Sequence, residues 1–117
     1  MNHVPPGPIG VLHAVLALGV EIAVLVAVYR LGVDVLDGWS GHLAGFGYMC
    51  AVIAVWARWA APNSATRLTA RALLAFKSAV FLLAALAFLV ADGWIVAAVF
   101  AAVTVVHLAL AVAKGWL

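Results

Sequence analysis

Charged side chains are scarce in this chain: 117 residues include six Lys or Arg and four Asp or Glu, or 9% of the sequence. Soluble domains carry about 25% charged residues, so the composition excludes a soluble enzyme, a nucleic-acid-binding module and a disordered segment. The single cysteine, Cys50, excludes an intrachain disulfide and a zinc cluster built from several cysteines. We therefore expect one domain with no metal, no cofactor and no nucleic-acid partner.

Apolar residues make up 69% of the chain. They form four runs of the length, roughly 20 residues, that a helix needs to cross a bilayer core of about 30 Å. The predicted spans are about residues 9–29, 41–60, 68–91 and 94–113. Because lipid offers no hydrogen-bond partners to the backbone, runs of this length must be helical. The predicted fold class is all-α: an antiparallel bundle of four transmembrane helices in a single integral membrane domain, residues 1–117.

Turn-forming residues indicate where the helices end. The Gly- and Asp-containing stretch 32–38 predicts a loop of about ten residues between the first two helices. Asp92-Gly93 predicts a tight turn between the last two helices. Pro8 and the two prolines at 5–6 predict that the amino-terminal arm stays outside the first helix.

Basic residues are distributed unevenly between the two predicted membrane faces. Arg58, Arg67 and Arg71 flank the connection between the second and third spans, and Lys114 lies near the carboxyl end. The opposite face has one basic residue, Arg30. The positive-inside rule therefore predicts a multi-pass protein of the cytoplasmic membrane with both termini in the cytoplasm.

Two ionisable residues lie well inside the predicted spans. Glu21 is near the centre of the first span, and Lys77 lies about nine residues into the third. A charge at mid-helix costs about 2.5–3.5 kcal/mol on insertion scales, so such groups normally face protein or water. One interpretation is a buried carboxylate–ammonium pair that lines a polar site. The other is a purely structural pair, or a neutral, hydrogen-bonded Glu21 with Lys77 extending toward the interface.

Further polar and aromatic residues lie at a similar depth on the other spans. The candidate polar site consists of Glu21, Tyr48, Trp56, Lys77, Thr104 and His107. Convergence of four of them, Glu21, Tyr48, Lys77 and His107, would create an acid–base site in an apolar cavity. In the alternative, Tyr48 and His107 each make one interhelical hydrogen bond. His13 and His107 lie in the same half of antiparallel helices and could ligate haem, although no spacing motif supports haem binding.

Several local sequences resemble the YrdB-like bacterial membrane proteins, a small four-helix family with no established activity. They are the single Glu in the first span, Ala-Val-Trp-Ala-Arg-Trp-Ala-Ala-Pro at 54–62, the basic loop, and Val-Phe-Ala-Ala at 99–102. The resemblance covers nearly the whole chain and implies that Glu21 is the family's first-helix acid. It also implies that Lys77 replaces a common second acid and that His107 stands where Asn is frequent. A first-span Glu is also similar to the small multidrug-resistance transporters, which lack a mid-span Lys in the third helix.

The leading hypothesis is an integral cytoplasmic-membrane protein whose polar site around Glu21 binds a lipophilic or amphipathic small molecule, or a partner subunit. One alternative is a proton-coupled small transporter that acts as a homodimer. Another is a membrane enzyme in which Glu21 or His107 provides acid–base chemistry on an apolar, isoprenoid-like substrate, with Lys77 as electrostatic partner. The last is an accessory subunit of a larger membrane complex. The lipid bilayer is the surrounding partner in every case.

Overall fold

The four predicted helices are all present in a computed structural model of the protein, which describes residues 7–61 and 63–117. They are α1 (Gly7–Val35), α2 (Gly38–Trp59), α3 (Ala70–Asp92) and α4 (Trp94–Lys114), and the described residues contain no strand. Each helix is long and apolar enough to cross a membrane. The predicted all-helical fold class is therefore confirmed.

The first connection is much shorter than predicted. α1 continues to Val35 and α2 begins at Gly38, which has a left-handed φ of 58°, so the predicted loop of about ten residues is wrong. Pro8 lies in the first turn of α1, where its missing N–H would have had no helical partner. The prediction that Pro8 stays outside the helix is therefore wrong, and the prolines at 5–6 lie outside the described residues. The predicted turn at Gly93, with φ 92°, is confirmed.

The alternating helix directions give the bundle two distinct ends. The hairpin end carries the α1–α2 loop (residues 36–37) and the α3–α4 turn at Gly93, and the terminal end carries the start of α1, the α2–α3 connection and the end of α4. At the hairpin end, the Arg30 guanidinium lies 2.7 Å from the Asp92 carboxylate. That the terminal end faces the cytoplasm stays a prediction.

α1 lies at the centre of the arrangement and packs on each of the other three helices, while α3 and α4 also pack on each other. The buried core residues come from α1, α3 and α4: Val20, Val24, Ala27, Phe81, Ala84, Ala87, Phe88 and Phe100. Small alanines beside three phenylalanines let rings and backbones interdigitate, and such packing drives association where lipid removes the hydrophobic advantage. α2 therefore lies outside this core and reaches it mainly through half-buried side chains such as Trp56.

Glycines bring α1 and α2 into close contact near the hairpin end. The buried residues of α2 are Gly41 and Gly45, and a Cβ atom added to Gly32 of α1 would overlap the backbone nitrogen of Gly45. The Tyr29 hydroxyl and His42 Nδ1 lie 2.6 Å apart at the same end and join the two helices by a hydrogen bond. α1 and α2 are therefore fixed together at the hairpin end.

Side-chain hydrogen bonds shape the connection between α2 and α3. The hydroxyl groups of Ser64 and Thr66 both donate to the carbonyl oxygen of Arg58, at 2.5 and 2.6 Å. The Arg67 Nε donates to the carbonyl oxygen of Ala60 at 3.2 Å. These bonds satisfy carbonyl groups at the end of α2 that have no partner within the helix, and they hold Arg67 against the terminal end of the bundle.

Candidate functional site

A half-enclosed cavity of about 250 Å³ lies between α1 and α2, on the terminal side of their glycine contact. Its lining residues are Glu21, Val24, Leu25, Val52, Ile53, Trp56, Ala57 and Ala61. Apart from the Glu21 carboxylate and the Trp56 indole, these side chains are aliphatic. Ile53 and Ala57 are exposed at the rim, so the cavity opens sideways to the surroundings of the helices.

The Glu21 carboxylate has no hydrogen bond or ion pair with any of the residues that the structure describes. The predicted Glu21–Lys77 ion pair is therefore not supported. The Lys77 ammonium instead lies 5.7 Å from the ring centroid of Trp56, in the range of a cation–π contact. Trp56 also contacts the Phe76 and Phe81 rings of α3, at 5.9 and 6.3 Å. The indole thus lines the cavity and also packs on α3, and the Lys77 ammonium contacts the indole instead of the Glu21 carboxylate.

Two histidines form a stacked pair between α1 and α4. The rings of His13 and His107 are 4.7 Å apart and inclined by 19°, and they are 7% and 3% exposed. Two further rings pack on this pair: the ring centroids of Trp116 and His13 are 5.2 Å apart, and those of Phe81 and His107 are 6.2 Å apart. Both Nδ1 atoms are buried without a hydrogen-bond partner in the described part of the chain. The rings meet face to face, whereas axial haem ligands present a nitrogen at the ring edge, so this geometry does not support the haem alternative.

Thr104 and Tyr48 do not contribute to the cavity. Thr104 is buried, and its hydroxyl donates to the carbonyl oxygen of Ala101 in its own helix at 2.8 Å. This back-bonding satisfies the hydroxyl within α4. Tyr48 is 41% exposed, and its hydroxyl has no hydrogen-bond partner among the described residues. The predicted interhelical hydrogen bonds of Tyr48 and His107 are therefore not found in this part of the chain.

The six predicted site residues consequently divide into separate groups. Glu21 and Trp56 line the cavity, Lys77 lies beside Trp56, His107 and Thr104 are buried on α4, and Tyr48 is exposed. Lys77 acts electrostatically on Glu21 as well as on both histidines. The structure thus places Glu21 in a cavity and His107 in a separate histidine pair, and Lys77 acts electrostatically on both.

Most of the cavity wall could not be identified from sequence. Leu25, Val52, Ile53 and Ala57 are apolar residues in apolar spans, and nothing in their identity separates a cavity wall from a lipid-facing surface. The contact between His13 and His107 was indicated by the sequence, because the two residues lie in the same half of antiparallel helices. Within the described residues, no group of three or more His, Cys, Asp or Glu side chains comes together as a metal site.

Four apolar helices of spanning length, with a cavity open to their surroundings, define a multi-pass membrane protein. The chain belongs to the family described as "Protein of unknown function (DUF2568)", whose model matches residues 15–105. The match includes Glu21, Trp56 and Lys77, whereas the stacked histidines lie just outside its two ends. No curated protein and no solved structure shows significant similarity to the chain.

Proposed function

We propose that this protein binds a lipophilic or amphipathic small molecule in the α1–α2 cavity and that Glu21 provides the polar contact. The observation that carries the proposal is a carboxylate that has no partner among the described residues and lies in a cavity lined otherwise by aliphatic side chains and one indole. An ionisable group at membrane depth is expensive unless it meets a polar partner. A ligand that donates a hydrogen bond to Glu21 would supply that partner, while its apolar body contacts Leu25 and Val52.

The shape of the cavity favours binding from within the bilayer. The opening lies beside Ile53, which is 51% exposed on the lipid-facing side of α2. A ligand can therefore enter laterally, and a single copy of the chain is sufficient to form the site. The enzyme alternative uses Glu21 or His107 as the acid–base group with Lys77 as electrostatic partner, but of these three residues the cavity wall contains Glu21 alone. Ligand binding is accordingly the function that the geometry supports best.

We also propose that the protein is one of the YrdB-like bacterial membrane proteins and that it lies in the cytoplasmic membrane. Glu21 in the first span and the motif at 54–62 support membership of the YrdB-like bacterial proteins. The arginines around the α2–α3 connection support insertion in the cytoplasmic membrane with this connection inside.

Cavity filling tests the proposed function. Ala57→Leu adds side-chain volume at the cavity wall. Ala102→Leu makes the same change at an exposed position on α4 that does not line the α1–α2 cavity. The natural protein and both variants are purified in native lipid nanodiscs, and their small-molecule content is compared by mass spectrometry. We expect a molecule that co-purifies with the natural protein and with Ala102→Leu and is depleted in Ala57→Leu. The same profile in all three preparations would contradict ligand binding in this cavity.

A further inference from the structure

Opposite charges lie near the Trp56 indole. The Glu21 carboxylate lines the cavity together with the indole, and the Lys77 ammonium lies over the ring from the α3 side. The two groups are not in contact, but they act on each other electrostatically. Arg67 also lies close: its Nε donates to the carbonyl oxygen of Ala60, next to the cavity residue Ala61, and its charge acts on Lys77. The cavity therefore has one carboxylate in its wall and two cations just outside it.

This arrangement of charges disfavours charged ligands of either sign. An anionic head group would meet the Glu21 carboxylate directly, with no cation among the residues that line the cavity. A cationic head group could pair with Glu21, but it would also approach the Arg67 guanidinium and the Lys77 ammonium, which already occupies a cation–π position on Trp56. In both cases the additional charge would meet a like charge at membrane depth, where water screens the repulsion poorly.

A neutral hydroxyl group offers a hydrogen-bond donor to Glu21 and brings no additional charge into the cavity. Its O–H can donate a hydrogen bond to the unpartnered Glu21 carboxylate, and hydrogen bonds to charged acceptors are stronger than neutral ones. We propose, on the basis of the proposed function, that the ligand is a neutral amphipathic alcohol, a hydrocarbon that ends in a hydroxyl group. The cavity of about 250 Å³ has room for roughly eight non-hydrogen atoms, the hydroxyl oxygen included, at about 30 Å³ each. The remaining hydrocarbon then passes Ile53 and Ala57 and lies in the bilayer.

Tryptophan fluorescence quenching tests this ligand class with the full chain in nanodiscs. The probes are dodecanol, dodecylamine and dodecanoic acid, each brominated at mid-chain, and the measured quantity is the quenching that the unbrominated compound displaces. We expect saturable, displaceable quenching by the alcohol, with at least about tenfold weaker binding of the amine and the acid. The displaceable signal disappears in Trp56→Phe, because this indole lines the cavity.

Variants at Glu21 identify the acceptor. Glu21→Ala is expected to weaken alcohol binding by at least about tenfold, whereas Glu21→Gln retains an acceptor oxygen and loses about threefold or less. Tyr48→Phe removes an unpartnered hydroxyl outside the cavity and is the matched control, with unchanged binding expected. If Glu21→Ala does not fold, Ala57→Leu takes its place as the variant that loses binding.

The outcomes separate the two proposals. Tighter displaceable binding of the amine or the acid than of the alcohol would overturn the neutral-alcohol inference and leave the binding cavity intact. Equal loss of alcohol binding in Glu21→Gln and Glu21→Ala would overturn the role of Glu21 as the acceptor. Absence of displaceable quenching with all three probes would overturn the ligand class and would count against the proposed function as well.

Discussion

Gly32 of α1 and Gly45 of α2 are in backbone contact, so close that neither position has room for a side chain. A Cβ atom on Gly45 would lie 2.6 Å from the carbonyl oxygen of Tyr29, and one on Gly32 would overlap Gly45 itself. In lipid, such close backbone approach is a main source of helix association. Together with the Tyr29–His42 hydrogen bond, this contact holds α2 on the bundle at the hairpin end.

Gly32→Ala should loosen α2 from α1. The added methyl group would strike a backbone, which moves less readily than a side chain, so we expect a loss of about 2–3 kcal/mol in the free energy of unfolding. The measurement is denaturation by SDS in mixed micelles, followed by circular dichroism. The control is Gly47→Ala in the middle of α2, where a Cβ atom would meet nothing within 4 Å. We expect this control to change stability by about 1 kcal/mol or less, and equal losses in both variants would refute the contact.

His107→Ala should destabilise the association of α4 with α1. The ring is 3% exposed and stacks on His13, so its removal leaves a cavity that costs about 2–4 kcal/mol, as for other large-to-small core changes. His107→Phe keeps an aromatic ring and removes the unpartnered Nδ1, so we expect a smaller loss than with alanine. Thermal unfolding in nanodiscs measures both variants. Tyr48→Ala is the exposed control, and a His107→Ala protein no less stable than this control would contradict the assignment.

The Arg30–Asp92 ion pair should couple α1 to the end of α3. The guanidinium side chain is 52% exposed and the carboxylate side chain 17%, so screening limits the expected coupling to about 0.5–1 kcal/mol. A double-mutant cycle with Arg30→Ala and Asp92→Ala measures it, and added salt should reduce it. The control cycle combines Arg30→Ala with Asp34→Ala, one helical turn away on α1, and should give the smaller coupling of an i,i+4 pair, about 0.2–0.5 kcal/mol. Larger coupling to Asp34 than to Asp92 would show that the pair is assigned wrongly.

The predicted orientation can be tested by cysteine labelling, because Cys50 is the only cysteine of the chain. In a Cys50→Ser background, Asp37→Cys places a thiol in the α1–α2 loop and Ala65→Cys places one in the α2–α3 connection. Both positions are exposed. If the arginine-rich connection faces the cytoplasm, a membrane-impermeant maleimide should label Asp37→Cys in intact cells. Ala65→Cys should react only after permeabilisation, and the reverse pattern would invert the topology.

The number and type of the helices could be predicted from the sequence because only a helix satisfies its own backbone over twenty apolar residues. The residue at which α1 ends could not be predicted in this way. Gly32 and Asp34 are typical of loops, but Gly32 is helical because its missing side chain lets α2 approach. This use of glycine depends on a residue thirteen positions later in the chain, Gly45, and no local pattern shows it.

The level of the candidate site residues along the helices could be predicted from the sequence, but the orientation of their side chains could not. Helical rise places Glu21 and Lys77 at nearly the same level, and each is conspicuous as a charge within an apolar span. Whether their side chains meet depends on how the helices are rotated about their axes, which the sequence does not fix. In the structure Trp56 fills the space toward α3, so Lys77 lies against the indole and the Glu21 carboxylate faces the cavity.

α1 lies between the phenylalanine core on one side and the α1–α2 cavity on the other. Its contacts with α3 and α4 form the phenylalanine core, whereas the opposite wall of the cavity is built from α2. If the cavity binds a ligand as proposed, substitutions at Ile53 or Ala57 can alter which molecule is accepted without changing the contacts of Phe88 or Phe100. Under that proposal, ligand preference can diverge during evolution through α2, while the core formed by the other three helices stays the same.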